Sequence, residues 1–141
     1  MQNIQIKLIE TKDIVCILPL LMQLNTTTPQ EVLKSRIYEM STQNYECVGM
    51  YINNTLIGIA GLWFMTRHYC GKSIEPDHVI IDDLYRNQGL GKKLFEWIYS
   101  YGKSMGCEVS ELNAYIPNTK SHDFYEREGY KKLGYHFIKK I

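Results

Sequence analysis

The strongest constraint on the fold of this chain is a glycine-containing turn between an apolar strand and an amphipathic helix. The strand comprises Val79, Ile80 and Ile81, and the turn spans residues 86–91. The helix is predicted from apolar residues that recur at spacings of three and four: Leu90, Leu94, Trp97, Ile98, Tyr101 and Met105. The first N–H groups of a helix lack partners within it and stand at the positive end of its dipole. This order of elements therefore predicts a phosphate site built from main chain.

The residues of the turn narrow the choice of phosphate ligand. Gly89 and Gly91 let the backbone approach a pyrophosphate closely, and Arg86, Lys92 and Lys93 add positive charge at its edge. The Walker pattern is absent, because it needs four residues between its first Gly and a Gly-Lys-Ser/Thr ending. The dinucleotide fingerprint lacks its third glycine. The turn therefore favours a different phosphate-containing ligand.

The remaining pattern, Arg-x-x-Gly-x-Gly, resembles the acyl-CoA loop of the GNAT superfamily of N-acetyltransferases. Residues 118–130 resemble the second signature of that family, in which an Asn precedes a helix ending in Phe-Tyr-Glu-x-x-Gly-Phe/Tyr. The order and separation of the two motifs also match, and the resemblance is strongest between Ile74 and Tyr130. Taken singly, each motif has a structural alternative: a tight strand-to-helix turn for the first and a core aromatic residue for the second.

The resemblance implies acetyl-CoA as co-substrate, with its pantetheine arm paired to the backbone of a bulged fourth strand. Carried over by position, that backbone is Val79, Ile80, Ile81 and Asp83, and the N–H near Ile81 is the expected donor to the thioester oxygen. The side chains of Val79 and Ile81 are also expected to lie in the core. The family often has Pro where Asp83 stands.

The resemblance also assigns residues to the phosphates and to the pantetheine amides. The residues expected at the phosphates are Arg86, Asn87, Gln88, Gly89, Leu90, Gly91 and Lys92. Asn118 matches the family Asn that steadies the pantetheine arm, and a helix-capping Asn is the alternative.

Amide formation from a thioester needs a base for the amine and an acid for the departing thiolate. The resemblance places Tyr125 at the acid position and within the cofactor site, although it can equally be a structural tyrosine. Glu75 and Asp77 lie two apart on a strand, so both face one side, and either can act as the base or attract a cationic substrate. A solvated pair is the alternative, and Pro76 between them indicates an irregular strand. On an ideal strand His78 points to the other side and is expected to be structural.

Composition sets the broad class of the protein. With 141 residues, the chain is expected to form a single domain, residues 1–141. A net charge of +1 gives no case for nucleic-acid binding, and no apolar run predicts a membrane span. The four scattered cysteines predict neither a metal site nor disulfides, so we expect reduced thiols in a cytoplasmic protein.

The order of predicted elements is β-α-α-β-β-β-α-β-α-β, an α+β arrangement. The resemblance implies a GNAT-like fold, in which a mixed, mostly antiparallel sheet of six or seven strands is flanked by about four helices. Its fourth and fifth strands are expected to splay apart. The later strands are predicted at residues 45–52, 56–65, 74–81, 108–115 and 130–138.

The leading functional hypothesis is acetyl transfer from acetyl-CoA to a primary amine, by direct attack in a ternary complex. The acceptor is expected to be a small-molecule or peptide amine, with the protein a monomer or homodimer that binds neither nucleic acid nor membrane. No metal is expected. A catalytically idle acyl-CoA-binding sensor or regulatory domain and a purely structural α+β interaction domain are the competing hypotheses.

Overall fold

The computed structural model describes residues 3–141. The strands are β1 (Ile4–Leu8), β2 (Tyr45–Ile52), β3 (Thr55–Arg67), β4 (Gly71–Ile81) and β5 (Val109–Ser110). The helices are α1 (Leu18–Leu24), α2 (Gln30–Met40), α3 (Leu90–Ser104) and α4 (Thr119–Arg127). Two 3₁₀ segments, Thr11–Ile17 and Asp83–Tyr85, precede α1 and α3.

The strands form one mixed sheet in the order β1-β2-β3-β4-β5. The first four strands pair antiparallel, and β5 pairs parallel to β4. Asn53 and Asn54, both with positive φ (49° and 65°), form the turn between β2 and β3, which is the backbone that a two-residue hairpin requires. Gly106, at φ 82°, follows the C-terminus of α3 and supplies the left-handed conformation that commonly ends a helix.

Each face of the sheet buries an apolar layer. One layer lies under α1 and α2 and includes Ile17, Ile37, Tyr45, Ile59 and Ile80. The other lies under α3 and includes Val48, Met50, Leu62, Ile74, Leu94 and Ile98. Because α3 presents its apolar stripe to the sheet, its first turn is fixed beside the end of β4. This packing brings the predicted phosphate turn to the sheet edge.

The α+β class and the four helices are confirmed, but the predicted strand count is wrong. The sheet has five strands rather than six or seven. Only Val109 and Ser110 of the strand predicted at residues 108–115 form a ladder, because the chain then diverges from β4. The final strand predicted at residues 130–138 does not form. Its apolar side chains lie exposed, Phe137 at 90%, because β5 is too short to provide a neighbouring strand.

Within residues 3–141, every helix is too short or too polar to cross a bilayer.

Candidate functional site

A wedge-shaped opening separates β4 from the chain that follows β5. The two strands pair only at Ser73 with Val109 and at Ile74 with Ser110. The Glu111 N–H then donates to the Ile74 carbonyl over 3.2 Å, and beyond this bond the described chain supplies no strand partner to that edge of β4. The main chain from Glu75 to Ile81 therefore borders the opening on one side.

A bulge in β4 determines which main-chain groups face this opening. Asp77 lies opposite Gly61 and Ile80 lies opposite Ile59, so the single residue Ala60 faces both His78 and Val79. Beyond the bulge the Asp82 N–H donates to the Ile57 carbonyl over 2.8 Å, towards β3. Because N–H directions alternate along a strand, those of Val79 and Ile81 point away from β3 and into the opening.

The turn before α3 continues this row of main-chain groups. Asn87 and Gly89 adopt positive φ values of 63° and 75°, and α3 begins at Leu90. Gly91 has ordinary helical geometry, and a Cβ added to it would lie 3.7 Å from Phe124. The first N–H groups of the 15-residue helix α3, which begins beside the end of β4, therefore lack partners within the helix.

Two of the three cations predicted at the edge of the turn form contacts within the protein. The Arg86 Nε donates to the Ile81 carbonyl over 3.0 Å, and its guanidinium pairs with Asp83 at 2.9 Å. Lys92 pairs with Glu128 at 3.3 Å. These contacts link the turn to β4 and to the end of α4, while the Arg86 and Lys92 side chains remain more than half exposed.

Asp83 differs from the other backbone positions expected along the pantetheine arm. It lies in the 3₁₀ segment after β4, and its N–H donates to Gln23 Oε1 over 3.4 Å. Its N–H is thus occupied, whereas those of Val79 and Ile81 face the opening.

Glu75 and Asp77 lie on the same sheet face, the one covered by α1 and α2, since they pair with Trp63 and Gly61 of β3. Both oxygens of Asp77 are occupied: Oδ2 accepts from the Trp63 indole N–H at 3.0 Å and Oδ1 from the His78 backbone N–H at 2.9 Å. Glu75 is half-buried and accepts only a longer bond, 3.3 Å, from Asn113. Burial, reinforced by the nearby carboxylates of Glu111 and Asp77, raises the pKa of Glu75.

The site is also bordered by three polar residues that were not identified from the sequence. Glu111 forms an ion pair with Arg67 at 2.7 Å, and Asn113 reaches Glu75 across the opening. Burial opposes ionisation of Glu111, but hydrogen bonding to its carboxylate, including the bond from the Arg67 guanidinium, outweighs burial and lowers its pKa. Glu111 and Asn113 fall in the predicted fifth strand, and only the divergence of the chain there turns them towards β4.

Tyr125 lies in a cluster of aromatic rings, with its centroid 5.8 Å from that of Phe95 and 5.9 Å from that of Tyr130. Burial, with a smaller contribution from Tyr130, raises the pKa of the Tyr125 phenol, so it stays protonated near neutral pH. Asn118 is the N-cap of α4, and its side-chain oxygen accepts from the Ser121 N–H at 3.3 Å.

The expectation that His78 points away from Glu75 and Asp77 is wrong, because the bulge breaks the strand alternation. The imidazole lies against Gly61 on the same face, and its Nε2 is 2.7 Å from the Tyr45 hydroxyl. Burial lowers the pKa of His78, so the ring is neutral near pH 7.

A metal site is not apparent in the described part of the chain, where no three His, Cys, Asp or Glu side chains gather suitably.

Comparison with known proteins identifies the family. Residues 18–130 match the model of the acetyltransferase (GNAT) family. The aminoalkylphosphonate N-acetyltransferase of Salmonella typhimurium is 27% identical over 74% of this chain and 62% of its own length. The glucosamine 6-phosphate N-acetyltransferase of Arabidopsis thaliana is 37% identical over 43% of this chain and 38% of its own length. The matched part of this chain therefore spans less than two thirds of either relative.

The fold is also shared with solved structures. An aminoglycoside N-acetyltransferase in complex with CoA superposes with a TM-score of 0.81, at 15% identity, over 100% of this chain and 96% of its own.

The two glycines of the turn are predicted to differ in their effect on stability. Gly89→Ala should lower the free energy of unfolding by about 1 kcal/mol, because an L side chain is strained at the positive φ of this position. Gly91→Ala should not, because its Cβ makes an ordinary contact with Phe124. Urea unfolding of both variants measures the difference, and equal destabilisation would contradict the left-handed geometry of Gly89.

Proposed function

Because this chain belongs to the GNAT acetyltransferase family, we propose that it transfers an acetyl group from acetyl-CoA to a primary amine, by direct attack in a ternary complex. One observation carries the proposal. Main-chain donors stand at both ends of a path that runs from Val79 and Ile81 to the N-terminus of α3. An extended thioester with a pyrophosphate at its far end matches such a path in both shape and charge.

In the proposed complex the pyrophosphate lies on the main chain of the turn, formed by Asn87, Gln88, Gly89, Leu90 and Gly91. The pantetheine arm then follows the open edge of β4 as an added strand would. The Ile81 N–H donates to the thioester oxygen, where negative charge develops during attack. The CoA complex of the aminoglycoside N-acetyltransferase with the same fold supports this cofactor.

Glu75 is the better candidate for the base. An amine of the lysine type has a pKa of about 10.4, so it must lose a proton before attack near neutral pH. The raised pKa of Glu75 makes it a stronger proton acceptor than an ordinary carboxylate. Asp77 is already held by Trp63 and by the His78 backbone, which supports an anchoring role instead.

Tyr125 is the proposed acid. A thiol has a pKa of about 8.5, so the departing CoA leaves as a thiolate unless a proton is supplied. A phenol that burial keeps protonated can supply that proton and regain one from water.

The acceptor is proposed to be a small molecule with a cationic amine. Glu75, Asp77 and Glu111 border the opening, and within residues 3–141 only Glu111 has a cationic partner there, Arg67. The net negative charge favours an approaching ammonium group. The names of the two relatives, which act on an aminoalkylphosphonate and on glucosamine 6-phosphate, suggest an amine on a small phosphorus-containing molecule.

The decisive experiment is a thiol-release assay with acetyl-CoA and a panel of amines. The panel contains an aminoalkylphosphonate, glucosamine 6-phosphate, an aminoglycoside and a lysine peptide, with CoA binding measured in parallel by calorimetry. We expect CoA binding and amine-dependent thiol release with a small amine. Binding of CoA without release across the panel would favour the idle sensor, and absence of CoA binding would overturn the proposal.

The role of Tyr125 predicts a specific loss. Tyr125→Phe should lower kcat by about 10²-fold while leaving acetyl-CoA affinity nearly unchanged, because it removes the proton and keeps the ring. Tyr99→Phe, which removes a neighbouring hydroxyl bonded to Glu128, is the matched control. Full activity of Tyr125→Phe would make the residue a packing element.

The role of Glu75 predicts a change in pH dependence. The pKa of Glu75 is raised in the folded protein. The fall of kcat/KM on acidification should therefore begin at a higher pH than the pKa of an ordinary glutamate would give. Glu75→Gln should lower kcat by about 10²-fold and abolish this acid limb. Asp77→Asn is the comparison, and it should keep the limb.

Stability gives an independent check on the same group. A raised folded pKa means that the native state binds the proton more tightly than the unfolded state, so Glu75 opposes folding once it ionises. The Glu75→Gln variant should therefore have a larger free energy of unfolding than wild type at pH 8. This difference should shrink as the pH falls through the folded pKa of Glu75. A difference that stays constant at all pH values would contradict the raised pKa.

A further inference from the structure

The bulge of β4 is an unusual piece of backbone at the centre of the proposed site. Its first residue, His78, has φ 35°, a value that non-glycine residues seldom adopt, although His does so more often than most. A backbone of this kind persists only where its surroundings hold it. The contacts of His78 therefore bear on where Val79 and Ile81 direct their N–H groups.

The imidazole of His78 is seated in the space left by a missing side chain. A Cβ on Gly61 would overlap the ring, so only glycine at this point of β3 admits it. Nε2 shares a hydrogen bond of 2.7 Å with the Tyr45 hydroxyl. Nδ1 is shielded from water and has no partner in the described chain.

A closed set of contacts connects this ring back to the bulge. The ring of Tyr45 packs on that of Trp63 with centroids 4.9 Å apart. The Trp63 indole donates to Asp77 Oδ2, and Asp77 Oδ1 accepts from the His78 backbone N–H. The hydroxyl–imidazole bond closes the set, so both the backbone and the side chain of His78 are fixed.

We propose that Tyr45 and His78 are positioning residues that hold the β4 bulge in the conformation that directs the Val79 and Ile81 N–H groups into the opening. Neither is proposed to contact the reacting atoms. The kinetic consequence rests on the proposed function, whereas the effect on the bulge can be measured without any ligand.

The physical reason lies in the single hydrogen bond available to the imidazole. A neutral ring has one donor and one acceptor nitrogen. Only Nε2 is satisfied here. Removal of the Tyr45 hydroxyl leaves both nitrogens unpaired in an apolar layer, which favours departure of the ring from its seat. The strained backbone of His78 then loses its support and relaxes towards an ordinary strand.

The test compares Tyr45→Phe with Tyr101→Phe. Both changes remove a hydrogen-bonded hydroxyl, but Tyr101 bonds to Glu46 on the opposite side of the sheet. We expect the His78 and Ile80 amides to exchange with solvent at least tenfold faster in the Tyr45→Phe variant only, by hydrogen-exchange NMR without ligand. In that variant we expect CoA affinity to fall at least tenfold and KM for acetyl-CoA to rise more than kcat falls.

A second pair of variants tests the same contact through β3, so that the proposal can still be tested if Tyr45→Phe unfolds the protein. Gly61→Ala should disturb the same amides by displacing the imidazole. Gly49→Ala, in β2, should not, because its Cβ would meet the side chains of Leu56, Tyr51 and Ile9 rather than the imidazole of His78. Combining Gly61→Ala with His78→Asn should restore part of the loss, since Asn is smaller and tolerates positive φ.

Unchanged exchange at His78 and Ile80 in both Tyr45→Phe and Gly61→Ala would overturn the proposal, as would faster exchange with unchanged CoA affinity. If the wild type binds no CoA, the proposed function fails. The amide exchange still decides whether the pair holds the bulge.

Discussion

β4 keeps its antiparallel hydrogen bonds to β3 but loses its neighbour on the other side after Ile74. Unpaired main-chain groups at an open sheet edge are strong hydrogen-bonding groups that need a partner. In this protein they face a wedge-shaped opening instead of a further strand. The bulge, the glycine turn before α3 and the acidic residues all lie along this unpaired edge or at its end.

The bulge and the packing of α3 act together on that edge. The bulge shifts the alternation of N–H directions along β4 by one residue. The N–H groups of Val79 and Ile81, rather than that of Ile80, therefore point into the opening. The apolar stripe of α3, buried against Leu62 and Ile74, fixes the helix N-terminus at the end of the same strand. The proposed binding of acetyl-CoA depends on both features, because one supplies main-chain donors at the strand edge and the other supplies them at the helix N-terminus.

The sequence predicted the elements that depend on local chemistry. The strand–turn–helix order and the α+β class were readable from the sequence, because each follows from backbone preference or apolar periodicity. The last strand was not. Residues 130–138 have a strand-like pattern, but a strand needs a neighbour, and no local signal reveals that β5 stops at Ser110.

The sequence by itself determined that a glycine-containing turn would join an apolar strand to an amphipathic helix, and hence the kind of ligand to expect. Only the tertiary structure decided the partners within the site. It tied Asp77 to Trp63, left Glu75 half-buried beside Asn113, and turned His78 onto Gly61 and Tyr45. These pairings join residues up to 38 positions apart. They depend on strand register and on one bulge, whose place is set by packing on β3 rather than by the residues that form it.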